Sequence, residues 1–251
     1  PKKAGSIDCT FCLDCVKACP HDNVSLIATA PASTLISDPY RSSLGRLSKR
    51  SDVVFIALLI VFGAFVNAAG MTTGVMTWEH GWHARLGPHM MPLIIGVFTI
   101  TGVLLLPVAI VSLCGLMNRL VQSSSPILDM LRRFVLALVP VGFAMWVAHL
   151  LYHFTTAWKT AWPAAERVIT GTISWFPAAV VPAWLTPLQL LTLDAGLLLT
   201  LYVSWRIALQ YAGRIRAALG LVTPWAALAC GLYAAGVWIL FQPMQMRGML
   251  H

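Results

Sequence analysis

Val53-Val-Phe-Ile-Ala-Leu-Leu-Ile-Val-Phe-Gly-Ala-Phe-Val-Asn-Ala-Ala69 runs without a single charge. At 1.5 Å per residue, a helix over this stretch comes close to crossing the ~30 Å apolar layer of a bilayer. The same texture returns downstream. Apolar runs occupy 92–117, 134–156, 188–210 and 225–241. Asp194 interrupts the fourth and the fifth is rich in Ala and Gly, but both hold too little charge to be loops. Hydrophobic residues make up 58% of the chain and charged residues 10%, with mean hydropathy +0.77, far from a soluble domain. The sequence therefore predicts an all-α integral membrane protein with about five transmembrane helices in a domain spanning 53–251. None of the runs is a cleavable signal peptide, because some fifty polar, cysteine-bearing residues precede the first.

That preceding segment has its own chemistry. Cys9-Thr-Phe-Cys12-Leu-Asp-Cys15-Val-Lys-Ala-Cys19-Pro20 has the C-x2-C-x2-C-x3-C-P spacing of bacterial ferredoxin-type clusters. Three thiolates two residues apart wrap one [4Fe–4S] cubane. The fourth sits on the next turn, where Pro20 ends the local helix, and in two-cluster ferredoxins it ligates the other cluster. Zinc sites more often use two C-x2-C pairs separated by a long spacer, and a disulfide framework is the remaining alternative. Cys9, Cys12 and Cys15 leave one ligand position to fill, and Cys19 needs a second cluster. Cys114 and Cys230 each stand alone in apolar sequence and read as buried small residues. The expectation is two [4Fe–4S] clusters, completed by a second motif outside these 251 residues, in a longer chain that begins before Pro1 or in a partner subunit. Residues 1–30 form this ferredoxin-type segment, with 25–30 as a helical floor beneath the cluster. Residues 31–52 form a basic juxtamembrane linker broken by Pro31 and Pro39.

Charge sets the expected orientation. Arg41, Arg46, Lys49 and Arg50 precede the first span; Arg119, Arg132 and Arg133 lie between the second and third; Arg206, Arg214 and Arg216 follow the fourth. The opposite connections carry only Arg85, Lys159, Arg167 and Arg247. By the positive-inside rule the cysteine segment is cytoplasmic and the C-terminus outside, which an odd number of spans satisfies. The setting is a bacterial cytoplasmic membrane, where cluster thiols stay reduced. The net charge of +8 is then a topology signal with some lipid headgroup contact. No basic face on a soluble module points to nucleic acid.

Histidines form a second constellation. His149 and His153 lie four apart in the third run and share a helix face. His80 and His83 fall in the loop after the first run, and His89 at the start of the second, so all five map to the outer side. Three roles compete: axial ligation of a b-type haem or a metal, with the haem's second ligand from another element; a quinone pocket; or interfacial placement beside Trp78 and Trp82. Asp194, at the same level, is a candidate for proton handling or for a hydrogen bond to a neighbouring helix. Pro107 and Pro140 are expected to kink their helices. The outer stretch 158–187, with Trp158, Trp162, Trp175 and Trp184, is expected to hold a short interfacial helix.

The cysteine motif joined to several spans resembles the membrane-bound polyferredoxins. That group includes the quinol dehydrogenase membrane component of periplasmic nitrate reductase systems, the regulator of nitrous oxide respiration and the oxidase-assembly ferredoxin. The match rests on Cys9, Cys12, Cys15, Cys19 and Pro20. It implies electron exchange between the quinone pool, through a haem b if one is bound, and a partner redox enzyme, with other subunits of a redox complex and lipid as neighbours. Those relatives usually carry two such motifs after their spans, whereas here one motif precedes them. Two other readings stand beside it: a structural anchor for a ferredoxin arm in a respiratory or photosynthetic complex, and an assembly or sensor protein for a metalloenzyme. No phosphate-binding glycine loop or dinucleotide fingerprint is present.

Overall fold

The computed structural model describes residues 10, 12–21, 49–122, 126–172 and 181–243. Cys9, the stretch 25–30, most of the linker with Arg41 and Arg46, Trp175 and Arg247 lie outside the described residues. Among the described residues the chain is helical and contains no strand. Helix α1, Asp14–Lys17, is a single turn within the cysteine segment. The bundle consists of α2 (Ser51–Ala69), α3 (Thr73–Leu86), α4 (Met91–Val121), α5 (Ile127–Ala137), α6 (Val139–Ala157), α7 (Ala161–Thr170), α8 (Leu185–Tyr211) and α9 (Ile215–Leu240). Five segments are long and apolar enough to cross a membrane: α2, α4, the run of α5 to α7, α8 and α9. This is a multi-pass membrane protein.

Prolines shape two of the spans. Pro107 has no N–H, and its ring crowds the carbonyl four residues back, so the turn there loses its ordinary i→i−4 hydrogen bond. In α4 the turn before it widens into a π-helix over Thr101–Leu105, where the Leu106 N–H reaches Thr101 O. Pro140 acts by interruption: α5 ends at Ala137, α6 begins at Val139, and Leu138 lies at the join. The Val141 N–H near this break donates instead to Thr200 Oγ1 on α8, at 3.1 Å, with Thr200 fully buried. A buried hydroxyl thus satisfies a backbone group that lipid would leave bare.

Helix α6 is the central post. Its Gly142 lies so near α2 that an added Cβ would come within 2.9 Å of Val61 Cα. On α8, a Cβ at Gly196 would meet Ala144 Cβ at 2.5 Å and Pro140 O at 2.9 Å. Small residues at these crossings let the backbones approach closely, the packing that holds helices together in lipid. Between α5 and α9, Phe134 stacks on Trp225 with ring centroids 5.0 Å apart. With the Asn118 amide oriented to satisfy both partners, it accepts from Trp225 Nε1 at 2.9 Å and donates to Leu221 O at 3.0 Å. Phe143, Phe154, Leu191 and Leu198 project outward, as lipid-facing residues should.

Cross-helix pairs define two ends. Gln189 Nε2 donates to Ala148 O at 2.8 Å, Thr200 meets Val141, and Tyr211 meets Asp129, so α5–α6 and α8 run antiparallel. Trp146 Nε1 donates to Ile60 O at 3.1 Å on the parallel α2. The end where α2 and α5 begin is called here the near end, and the opposite one the far end. Basic residues collect at the near end, where Arg132 Nη2 donates to Ser51 Oγ at 2.6 Å and Arg133 Nη1 to Gln210 Oε1 at 2.9 Å. Arg132 and Arg133 lie within α5 rather than in a connecting loop.

Candidate functional site

Cys12, Cys15 and Cys19 fall within one compact turn. Leu13 takes a left-handed φ of 62°, uncommon for a residue with a Cβ, and folds the chain back between Cys12 and α1. Its carbonyl accepts from Val16 N at 3.0 Å and Lys17 N at 3.1 Å. The helix closes at Ala18, before Pro20. Cys12 and Cys15 are exposed and Cys19 is half-buried, and none of the three is in a disulfide. Thiols outside any disulfide and gathered around one short helix are a fitting donor set for an iron–sulfur cluster. Of the cluster-binding candidates, Cys9 alone lies outside the described residues. Cys114, by contrast, is buried, and its Sγ contacts Pro224 O at 3.7 Å, whereas Cys230, expected to be buried as well, is exposed on α9.

At the far end the structure brings together two of the five histidines. His149 and His153 place their Nε2 atoms 3.1 Å apart, with rings nearly perpendicular at 85°. This follows from the i, i+4 spacing on α6. His149 is 1% exposed and its Nδ1 has no hydrogen-bond partner, while His153 is half-buried and borders Tyr152. His80 and His83 lie on α3, a helix where a loop was expected, and His89 is exposed in a 3₁₀ turn before α4. Among the described residues no group of three or more His, Cys, Asp or Glu side chains forms, so none of these three joins the pair in a metal-sized cluster. Asp194 is half-buried on α8 and accepts from Tyr233 Oη on α9 at 2.6 Å, a bond between neighbouring helices.

Several polar positions were not singled out from the sequence. Glu79 is buried at 3% exposure on α3. Gln189 and Thr200 are buried and tie α8 to α6. Asn67 sits exposed on α2, within a cleft shared with α4. A signal for α3 was present: Thr72 is its N-cap, accepting from Val75 N at 3.4 Å, and Gly87-Pro88 stops it with φ of 100° at Gly87. The stretch 158–187 contains a short helix, α7, ended by Gly171 at φ 73° and exposing Trp162, Val168 and Ile169. Compared with known proteins, the chain matches no family model, no curated protein and no solved structure.

Proposed function

We propose that this chain is the membrane-bound iron–sulfur subunit of an electron-transfer system, exchanging electrons between the quinone pool and a partner redox enzyme. The observation that carries the reading is the cysteine motif itself, whose Cys12, Cys15 and Cys19 gather on and beside the single-turn helix α1, outside any disulfide, in a chain with a multi-span bundle. In this reading Cys9, Cys12 and Cys15 hold one [4Fe–4S] cluster, Cys19 contributes to another, and the missing thiolate comes from a second motif. Such a cluster supplies one-electron transfer. The chain's part is to keep the cysteines close together, which the Leu13 reversal and the short α1 do. The basic near end supports a cytoplasmic position for the cysteine segment.

Anaerobic purification followed by iron and sulfide analysis and low-temperature EPR tests the proposal. The expected result is a reduced [4Fe–4S] signal, lost in Cys12→Ser and Cys15→Ser. Bound zinc with no acid-labile sulfide would overturn it. A reduced-minus-oxidised optical spectrum of the same sample tests haem: a sharp b-type band assigns it a place in the pathway, and its absence removes it.

A further inference from the structure

A cleft of about 270 Å³ opens at the far end between α2 and α4. Gly63 of α2 and Gly70 just past its end leave room on one side, and Phe98 of α4 forms an aromatic wall. That ring is steadied by Trp78 of α3, with centroids 6.3 Å apart. The floor comes from the π-turn of α4, which carries Val103 into the cleft lining. Next to it, Gly102 lies so close to α2 that a Cβ would come within 2.6 Å of Val66. π-turns inside helices recur at functional sites.

The cleft is otherwise apolar, yet two exposed polar side chains from different helices line it: Asn67 of α2 and Thr99 of α4. Polar side chains on spanning helices are costly in lipid and mark sites or helix contacts. Their donors are an amide N–H and a hydroxyl O–H, which suit a carbonyl acceptor. The size is just below the usual range of small-molecule pockets, room for one flat ring with a tail left in lipid.

We propose that this cleft binds the headgroup of a quinone, with Asn67 and Thr99 hydrogen-bonding a ring carbonyl and Phe98 against the ring face. The inference rests on the electron-transfer reading and gives its membrane carrier a location. It also separates the carrier from the His149–His153 pair.

Gly63 provides the test. A Cβ there meets nothing within 4 Å, so Gly63→Leu fills the cleft without straining the bundle. Gly231→Leu, equally unobstructed and exposed on α9, is the control. The protein isolated anaerobically from its native membranes is placed in lipid nanodiscs and labelled with a photoreactive azidoquinone bearing a prenyl tail. Cluster reduction by quinol is followed in parallel by EPR. Labelling of α2 and α4 peptides around the cleft is expected, falling about tenfold or more in Gly63→Leu. A smaller drop is expected in Asn67→Leu and none in Gly231→Leu. Unchanged labelling in Gly63→Leu, or label confined to other helices, overturns the cleft assignment. If quinol still reduces the cluster in that case, the electron-transfer reading stands without it. Quinone labelling of the cleft with no quinol-driven reduction sinks that reading and keeps the site. Loss of a co-purifying subunit in Gly63→Leu, with labelling unchanged, assigns the cleft to a partner helix instead and overturns the proposal.

Discussion

The two ends of the bundle treat polarity differently. At the near end, charged and amide groups are committed to holding helices together. Asp129 accepts from Tyr211 Oη and pairs with Arg133 at 3.4 Å, Arg133 also reaches Gln210, and Gln122 Nε2 donates to Tyr211 O at 2.6 Å. The far end also ties helices, through Gln189 to Ala148 O and Tyr233 Oη to Asp194, but there His149 keeps a buried Nδ1 without a partner and Asn67 faces an open cleft. Polar groups in lipid are costly, so those tied to neighbouring helices read as structure and those left open toward a space read as ligand-facing. Between the ends lies a seam of small residues on α2, α6 and α8 that belongs to neither.

That seam sets the scale, so the largest effect is expected there. Gly196→Val puts side-chain atoms where Ala144 Cβ and the Pro140 carbonyl already stand, and backbone cannot yield as a flexible side chain can. Overpacking of this kind costs ~1–3 kcal/mol or more. The expected outcome is a large drop in folded yield and in thermal midpoint in detergent, read by thiol-reactive fluorescence. A midpoint within error of wild type would mean that the α6–α8 crossing is looser than the small-residue seam implies.

The near end comes next. Asp129→Ala leaves Tyr211 Oη and the Arg133 guanidinium short of an acceptor, and stranding partners of this kind costs ~1–3 kcal/mol. A lower thermal midpoint with quinone labelling of the cleft unchanged would bear out the division between ends. A loss of labelling at equal stability would show that the two ends are not separate in function.

These two effects also show what the sequence makes legible. The five spans are readable because uninterrupted apolar length is a constraint that lipid imposes directly, and 53–69 and 92–117 lie within Ser51–Ala69 and Met91–Val121. The proline distortions follow from covalent chemistry, although whether a break or a π-turn results depends on neighbours. Thr200 rescues the Val141 N–H near Pro140, and nothing in the local sequence names it. Helix α3 is hidden because its Glu79, His80, His83 and Arg85 make it read as a loop, while its cap signals occupy only Thr72 and Gly87. The cysteine motif is legible in full as a pattern, since its four cysteines are close in sequence. The cleft is not, because Asn67 and Thr99 are thirty-two positions apart and meet only once α2 and α4 are packed.

The far-end histidines are expected to show a small stability effect. His149→Phe keeps a buried ring of similar size, removes the Nε2 contact with His153 and also removes the unpartnered Nδ1. Losing one neutral hydrogen bond costs ~0.5–1.5 kcal/mol, while relief of the unsatisfied nitrogen acts in the opposite direction. The thermal midpoint should therefore move by only a degree or two. A drop comparable to that of Asp129→Ala would place His149 among the groups that hold the bundle, and would erase the contrast between the ends.

The smallest effect is expected from Tyr233→Phe. The hydroxyl it removes donates to Asp194 at 2.6 Å, but both residues are half-buried, so water or lipid headgroups can replace the lost bond. A change below ~1 kcal/mol follows for stability. The informative readout is functional: if Asp194 only ties α8 to α9, quinol-driven cluster reduction stays at the wild-type rate across pH in both Tyr233→Phe and Asp194→Asn. If Asp194 handles protons, Asp194→Asn slows the reaction and flattens its pH dependence, whereas Tyr233→Phe leaves the carboxylate in place and shifts the profile along the pH axis. A hydrogen bond that ties two helices tolerates replacement of the acid by its amide, and a proton carrier does not, so this pair of variants decides whether the far end contains one working site or two.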